Sequence, residues 1–189
     1  MSKFELQERA LKASGASYEE SLKATQLVPS LYERLGKESG METLSTLFYD
    51  RVFDDSENQW FLSIFASSTK SEAIDNQFKF FVQIFGGPDL YRQKGKGKYL
   101  RLSGRHANYP IGHRAADRWV MHMVNAMDEH PKLAIGENTT DADVAMITET
   151  REAMVAYFKY TAHYIVVASE YMRDDQLSGG TRIDEGRVW

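Results

Sequence analysis

Residues 69–88 have the sequence TKSEAIDNQFKFFVQIFGGP, which contains both ends of one amphipathic helix. Thr69 followed by Glu72 fits a capping box, in which the threonine oxygen accepts a backbone N–H and the glutamate reaches back to the cap. The Gly-Gly-Pro of residues 86–88 ends the helix, because two glycines free the backbone and proline cannot continue the hydrogen-bond ladder. The stretch therefore predicts a helix that ends near Phe85.

One face of this helix is apolar except for a single amide. Its members recur with the spacing of one helical face, and they are Ala73, Gln77, Phe80, Phe81 and Ile84. A buried amide without partners costs a few kcal/mol, so Gln77 must be bonded or must face something polar. Ala73 lies one turn earlier and would leave room for a ligand on the same face.

The same combination of cap and apolar periodicity recurs along the chain. The further capping pairs are Ser17 with Glu20, Ser39 with Glu42, and Thr140 with Asp143. We expect one or two short helices in residues 1–28, longer helices over about 39–53, 112–128 and 141–171, and an aromatic corner at 60–65. With four prolines and no strand alternation, the chain is predicted to be all-α.

The predicted organisation is one domain with two appendages. The domain covers residues 30–172, the N-terminal helical extension covers 1–29, and a disordered C-terminal tail covers 173–189. The tail contains Gly179-Gly180 and alternating charges, which is typical of disorder. A chain of 189 residues is long enough for one sizeable core.

Composition excludes several classes of function. The net charge of −4 gives no general attraction to nucleic acid or to an anionic membrane. The absence of cysteine excludes disulfides, iron–sulfur clusters, cysteine-ligated zinc and a cysteine nucleophile. No apolar run approaches the roughly 20 residues that span a bilayer. The first residues lack the apolar core of a secretory signal, so we expect a cytoplasmic protein.

The five histidines do not predict a protein-ligated zinc or di-iron site, because none lies in an H-E-x-x-H pair. His113, His122 and His130 lie beside charged or exposed positions, which predicts solvated side chains. His163 lies in the apolar last helix, which predicts a hydrogen-bonded packing residue. His106, in GRHANYP at residues 104–110, is by itself most simply a surface residue beside an arginine.

The aromatic surroundings of His106 suggest a second interpretation. A flat apolar cofactor carrying a metal needs one axial imidazole and apolar walls, and haem is the simplest such cofactor. The candidate wall and donor residues are Tyr49, Phe65, Gln77, Phe80, Phe81 and Trp119. Taken alone, Gln77, Tyr49 or Trp119 is more simply explained as a core residue with a satisfied polar tip. Arg105, Tyr91 or the basic loop 94–98 could meet the propionates, although a solvated charge run also explains that loop.

Three segments together resemble a known family, the truncated, two-on-two haemoglobins of group II, most closely the plant type. They are LSTLFYDRV at 44–52, FFVQIFGGPDLY at 80–91, and GRHANYPIGHRAADRW at 104–119. The resemblance covers roughly residues 30–170. The chain departs from the family pattern in a longer loop before His106, in Gly97-Lys98 where many relatives have His-Pro, and in Asn108 where a proline is common.

The resemblance implies a fold, a cofactor and a set of site residues. The fold would be the two-on-two helical sandwich, and the cofactor would be haem b with His106 as the proximal iron ligand. The distal ligand-binding residues would be Tyr49, Ala73, Gln77 and Trp119. Phe65, Phe80 and Phe81 would form haem walls, and Tyr91 and Arg105 would complete the cofactor site.

The resemblance also implies reversible binding of dioxygen, and of CO and NO. Two hydrogen-bond donors could slow oxygen release by on the order of 10²-fold. Slow release favours sensing, storage, or nitric oxide and peroxide chemistry over bulk transport. Whether the protein is an enzyme stays open, and turnover would require an external reductase. A homodimer could form through the N-terminal extension and the last helix. The alternative is a haem-free helical interaction module that binds a partner through its aromatic face.

Overall fold

The computed structural model describes residues 2–65, 68–93 and 111–178. Within these ranges the chain forms helices and contains no β-strand. The helices are α1 (Lys3–Ser14), α2 (Tyr18–Gln26), α3 (Leu31–Arg34), α4 (Lys37–Phe53), α5 (Gln59–Leu62), α6 (Lys70–Ile84), α7 (Leu90–Gln93), α8 (His113–Glu129) and α9 (Asp141–Ser178). Three short 3₁₀ turns cover Ser56–Asn58, Ser63–Phe65 and Pro131–Leu133. In this part of the chain, no helix combines the length and apolarity needed to cross a membrane.

The predicted capping box of α6 is confirmed. The amide of Glu72 donates to Thr69 Oγ1 at 3.2 Å, and the amide of Thr69 donates to Glu72 Oε2 at 2.9 Å. The box of Ser17 and Glu20 at the start of α2 is also confirmed. These short local sequences satisfy amides that would otherwise have no partner in the first helical turn. Helix starts of this kind could therefore be predicted from the sequence.

The predicted start of α4 at the pair Ser39 and Glu42 is wrong. The helix begins at Lys37, and its N-cap is Gly36 with a φ of +97° and no side-chain cap. A left-handed glycine lets the chain turn directly from α3 into α4. The carbonyl of Ser39 lies inside the helix, where it accepts a hydrogen bond from Thr43 Oγ1 at 2.8 Å.

Helices α4, α6, α8 and α9 form a two-on-two sandwich, as predicted. Helix α4 packs on α6 and on α8, and α8 packs on α9. Aromatic contacts join α6 to α9: the ring of Phe81 lies 5.5 Å from that of Phe158, and the ring of Phe85 lies 5.0 Å from that of Tyr157. The main core lies between these two layers.

Helix α9 continues to Ser178 instead of ending near residue 171. The second half of the helix is covered by α1 and α2, so the N-terminal extension is packed against the sandwich. A separate apolar cluster lies in this contact. It is formed by Leu6, Ala10, Ala16, Tyr160, Tyr164, Val167 and Ala168. Residues 179–189 of the predicted tail lie outside the described residues.

The prediction that His122 and His130 are solvated is wrong. His130 is only 1 % exposed, its Nε2 lies 3.0 Å from the carbonyl oxygen of Gly40, and its Nδ1 accepts from the amide of Lys132 at 3.2 Å. Burial lowers the pKa of His130, so the neutral ring donates through Nε2. His122 is 6 % exposed and contacts Asp55. Burial of both rings comes from helices distant in sequence. The predicted packing role of His163, which is 3 % exposed and bonded, is confirmed.

Candidate functional site

A cavity of about 290 Å³ lies between the two layers of the sandwich. Its walls are mostly aromatic and aliphatic, and a few polar side chains reach it. The residues that line it are Tyr49, Phe61, Ile64, Phe65, Asn76, Gln77, Phe80, Phe81, Tyr91, Ile111, Ala115, Ala116, Trp119, Tyr157, Phe158, Thr161, Ala162, Ile165 and Val166. An apolar cavity with a few convergent polar groups is the usual form of a small-molecule or cofactor site.

Gln77 places an amide in this cavity from the middle of α6. Its Nε2 atom is shielded from solvent and has no hydrogen-bond partner among the described residues. An unsatisfied buried N–H of this kind costs about 1–3 kcal/mol. The cost is removed if a ligand in the cavity accepts a hydrogen bond from this atom.

Tyr49 reaches the cavity from α4 and is 8 % exposed. Three aromatic rings surround it edge-on, those of Phe48 at 4.9 Å, Phe53 at 6.3 Å and Phe65 at 5.9 Å. Burial raises the pKa of Tyr49, and interaction with Tyr91 raises it further. The phenol therefore keeps its proton at neutral pH and can donate a hydrogen bond.

Trp119 forms the wall that α8 contributes. Its ring lies 5.1 Å from that of Phe48 and 5.6 Å from that of Phe158, so it bridges the two layers. Ala115 and Ala116, one turn earlier on α8, also line the cavity. Small residues at these positions leave space for a flat group beside the indole.

The second half of α6 and the short helix α7 also contribute to the cavity lining. Phe80 and Tyr91 pack edge to face with ring centroids 5.6 Å apart. The amide of Arg92 donates to Gln83 Oε1 at 2.9 Å, which ties α7 to α6 beside that contact. This hydrogen bond helps to hold Tyr91 in the cavity lining.

Most of the predicted site residues meet in this one cavity. The seven that line it are Tyr49, Phe65, Gln77, Phe80, Phe81, Tyr91 and Trp119. Ala73 is buried on α6, one turn before Gln77, and is not among the lining residues. His106, Arg105 and the basic loop 94–98 lie outside the described residues.

Helix α9 provides a wall of the cavity that was not predicted from the sequence. Two ridges of α9 line the cavity, each with a spacing of four residues: Tyr157, Thr161 and Ile165, and Phe158, Ala162 and Val166. This spacing was an available signal, because residues four apart lie on one helix face. Phe61 and Ile64 of the aromatic corner were also not assigned to the site.

Comparison with known proteins places this arrangement in a family. Residues 30–156 match the family model described as bacterial-like globin. The chain is 38% identical over 171 residues to two-on-two hemoglobin-3 of Arabidopsis thaliana, covering 90% of this chain and 87% of the relative. It is 40% identical over 141 residues to group 2 truncated hemoglobin 3-1 of Lotus japonicus, covering 75% of this chain and 74% of the relative.

The chain belongs to the truncated, two-on-two haemoglobins of group II. As a globin, it binds haem and takes diatomic gases at the haem iron. The cavity of this truncated haemoglobin fits that cofactor on two counts. Its walls are apolar and aromatic, as a porphyrin requires, and the unpartnered Gln77 Nε2 supplies a buried donor for a polar ligand.

Proposed function

We propose that this globin binds dioxygen, and also CO and NO, at a haem b whose iron is held by His106. The observation that carries the proposal is the buried Nε2 of Gln77, which has no hydrogen-bond partner among the described residues. A donor left unpaired inside an apolar cavity suits a polar ligand that arrives from solution.

His106 would hold the haem, whose iron would supply the site at which a diatomic gas binds. Gln77 then donates to the ligand through Nε2, and Tyr49 donates through its protonated hydroxyl. Hydrogen bonds to an acceptor that carries charge are worth about 1.5–3 kcal/mol each. Both donors therefore retain a polar ligand and discriminate against an apolar one of equal size.

The aromatic walls exclude water and orient the cofactor. Phe65, Phe80, Phe81 and Trp119 surround the cavity with apolar rings. A low-dielectric wall strengthens the hydrogen bonds that the two donors make. Tyr91, which lines the cavity, and Arg105 would meet the polar rim of the cofactor.

Retention of the ligand favours oxygen sensing, storage, or nitric oxide and peroxide chemistry over bulk transport. Strong donors lower the rate of oxygen release, and a carrier needs release to be fast. A redox reaction with multiple turnovers would need an external electron donor, such as a reductase.

The test is reconstitution of purified protein with hemin, followed by absorption spectra of the ferric, deoxy, carbonmonoxy and oxy forms. We expect a strong Soret band in the wild type and its loss in His106→Ala. His113→Asn is the matched control, because it also removes an imidazole but keeps a donor at the Nδ1 position. We expect the control to retain the band.

Two results would overturn the proposal. A colourless wild-type protein that gains no Soret band with hemin would favour a haem-free interaction module. A Soret band that persists in His106→Ala, with the same absorption maxima in all four forms, would mean that another residue holds the iron.

A further inference from the structure

We propose that Asp55, Arg118 and His122 are positioning residues for the cavity. They hold the segment 55–65, which ends in the aromatic corner at 60–65, against α8 and thereby set the place of Phe61 in the cavity wall. The inference rests on the proposed function, because the cavity is the site where ligand is held. None of the three positioning residues lines the cavity itself.

The segment 55–65 cannot hold its own shape. It consists of two 3₁₀ turns of three residues and α5, a helix of four residues. Helical pieces this short have no stability of their own in water. Their position must therefore come from contacts with neighbouring helices.

Asp55 is the polar centre of these contacts. Its side chain is 7 % exposed, and its Oδ2 accepts from Arg118 Nε at 2.5 Å and lies 2.9 Å from His122 Nε2. Its Oδ1 accepts from Asn58 Nδ2 at 3.1 Å. The Arg118 guanidinium holds the pKa of this carboxyl well below its usual range. Asp55 is therefore ionised and acts only as an acceptor.

His122 connects this carboxylate to the cavity wall. Burial lowers the pKa of His122, so the ring is neutral at pH 7. Because Asp55 can only accept, the proton of the neutral ring is on Nε2, which donates to the carboxylate. The ring of His122 stacks on that of Phe61 with centroids 5.6 Å apart and planes at 26°.

The three contacts from α8 lie on one helix face. Arg114, Arg118 and His122 are four residues apart, which places them in a row. The guanidinium of Arg114 lies 4.3 Å from the ring centroid of Trp60, and the indole Nε1 of Trp60 donates to Asn58 Oδ1 at 3.2 Å. The row therefore contacts the segment 55–65 at its start, through Asp55, and in its middle, through Trp60.

Ring contacts continue from Phe61 to a proposed ligand donor. Phe61 packs on Phe65 at 5.3 Å, and Phe65 packs edge to face on Tyr49 at 5.9 Å. Close-packed rings have little free volume, so a shift of Phe61 moves the surroundings of the Tyr49 hydroxyl. Weakening the contacts to Asp55 should therefore change the environment of the bound ligand.

The experiment compares Arg118→Gln with Arg151→Gln. Both arginines are on the sandwich helices, pair with an aspartate, and have similar side-chain exposure, 23% and 27%. Arg151 pairs with Asp128 and contacts the Met127 carbonyl, away from the aromatic corner. The first readout is the stretching frequency of CO in the hemin-reconstituted, reduced protein. The second is the methyl resonance of Ile64 in isoleucine-labelled protein, with and without haem.

We expect Arg118→Gln to shift or broaden both signals and Arg151→Gln to leave both unchanged. Should Arg118→Gln fail to fold, His122→Phe takes its place, because it keeps a ring on Phe61 and removes only the donated hydrogen bond. His122→Gln, which keeps a donor at the Nε2 position, should restore part of the CO signal. Signals in Arg118→Gln and His122→Phe that match the wild type would overturn the inference.

The two proposals can fail separately. Wild-type protein that takes up no hemin would contradict the proposed function, while the Ile64 resonance would still test the placement of the corner. Normal hemin uptake with unchanged CO and Ile64 signals in the variants would contradict only the positioning role.

Discussion

The imidazole rings of His113 and His163 lie nearly parallel, with their Nδ1 atoms 2.8 Å apart and their planes at 19°. His163 Nε2 lies 3.1 Å from Asp117 Oδ1. Burial lowers the pKa of His163, so its ring is neutral at pH 7 and its single proton is on the nitrogen that faces the carboxylate. The proton between the two rings therefore belongs to His113, which donates from Nδ1 to Nδ1 of His163.

This arrangement predicts that the protein loses stability as the pH falls. The folded-state pKa of His163 lies below the unfolded value of about 6.5, so the unfolded chain binds more protons in that interval. The free energy of unfolding should be highest above pH 6.5 and should fall as the pH drops below it. His122 and His130 have lowered pKa values and contribute with the same sign.

The measurement is urea unfolding between pH 7.5 and 5. The variant His163→Gln, which keeps a donor toward Asp117, should show a shallower decline than the wild type. A decline of equal slope in both proteins would exclude His163 as one of the groups responsible.

The proposed donors can be tested by the rate of oxygen release. Gln77→Leu and Tyr49→Phe each remove one hydrogen bond to the ligand, so each should speed release by about tenfold or more. Stopped-flow displacement of oxygen by CO measures this rate. Tyr157→Phe is the matched control, because Tyr157 lines the same cavity but its hydroxyl is bonded to Thr161. Equal release rates in the wild type and the three variants would show that neither Gln77 nor Tyr49 retains the ligand.

Gly40 should be intolerant of any side chain. A Cβ at this position would lie 1.8 Å from the carbonyl oxygen of Leu35, so the junction of α3 and α4 would have to move. We expect Gly40→Ala to lower the free energy of unfolding by about 1–3 kcal/mol, the usual cost of overpacking. A Cβ at Gly112 meets nothing within 4 Å. Gly112→Ala should therefore have a smaller effect in the same urea titration.

The contact of the N-terminal extension with α9 can be measured through Leu6, which is 4 % exposed in the apolar cluster between α1, α2 and α9. Leu6→Ala should lower the free energy of unfolding by about 2–4 kcal/mol, as expected for a buried leucine. Leu11→Ala on the same helix should change it by less than about 0.5 kcal/mol, because Leu11 is 43 % exposed. Similar losses in the two variants would mean that the extension is not packed in solution.

Many elements of the fold could be predicted from local sequence. The cap at Thr69 and the glycines after Phe85 define α6 through local hydrogen bonds: Thr69 pairs with Glu72, three residues on, and the amide of Gly87 donates to the carbonyl of Val82, five residues back. The periodicity of α6 also placed Gln77 and Phe80 on one face, and that face lines the cavity. The start of α4 was mispredicted because the turn at Gly36 depends on packing between α3 and α4 and not on a side-chain cap.

Local sequence was enough to predict most of the helices and their apolar faces, because caps and helical periodicity are properties of neighbouring residues. Which polar side chains are buried, and which atoms they bond, depends on the packing of helices that are distant in the chain. His122 meets Asp55 and His113 meets His163 across separations of 67 and 50 residues. A pairing over that distance depends on how the helices pack, and no local pattern in the chain encodes it.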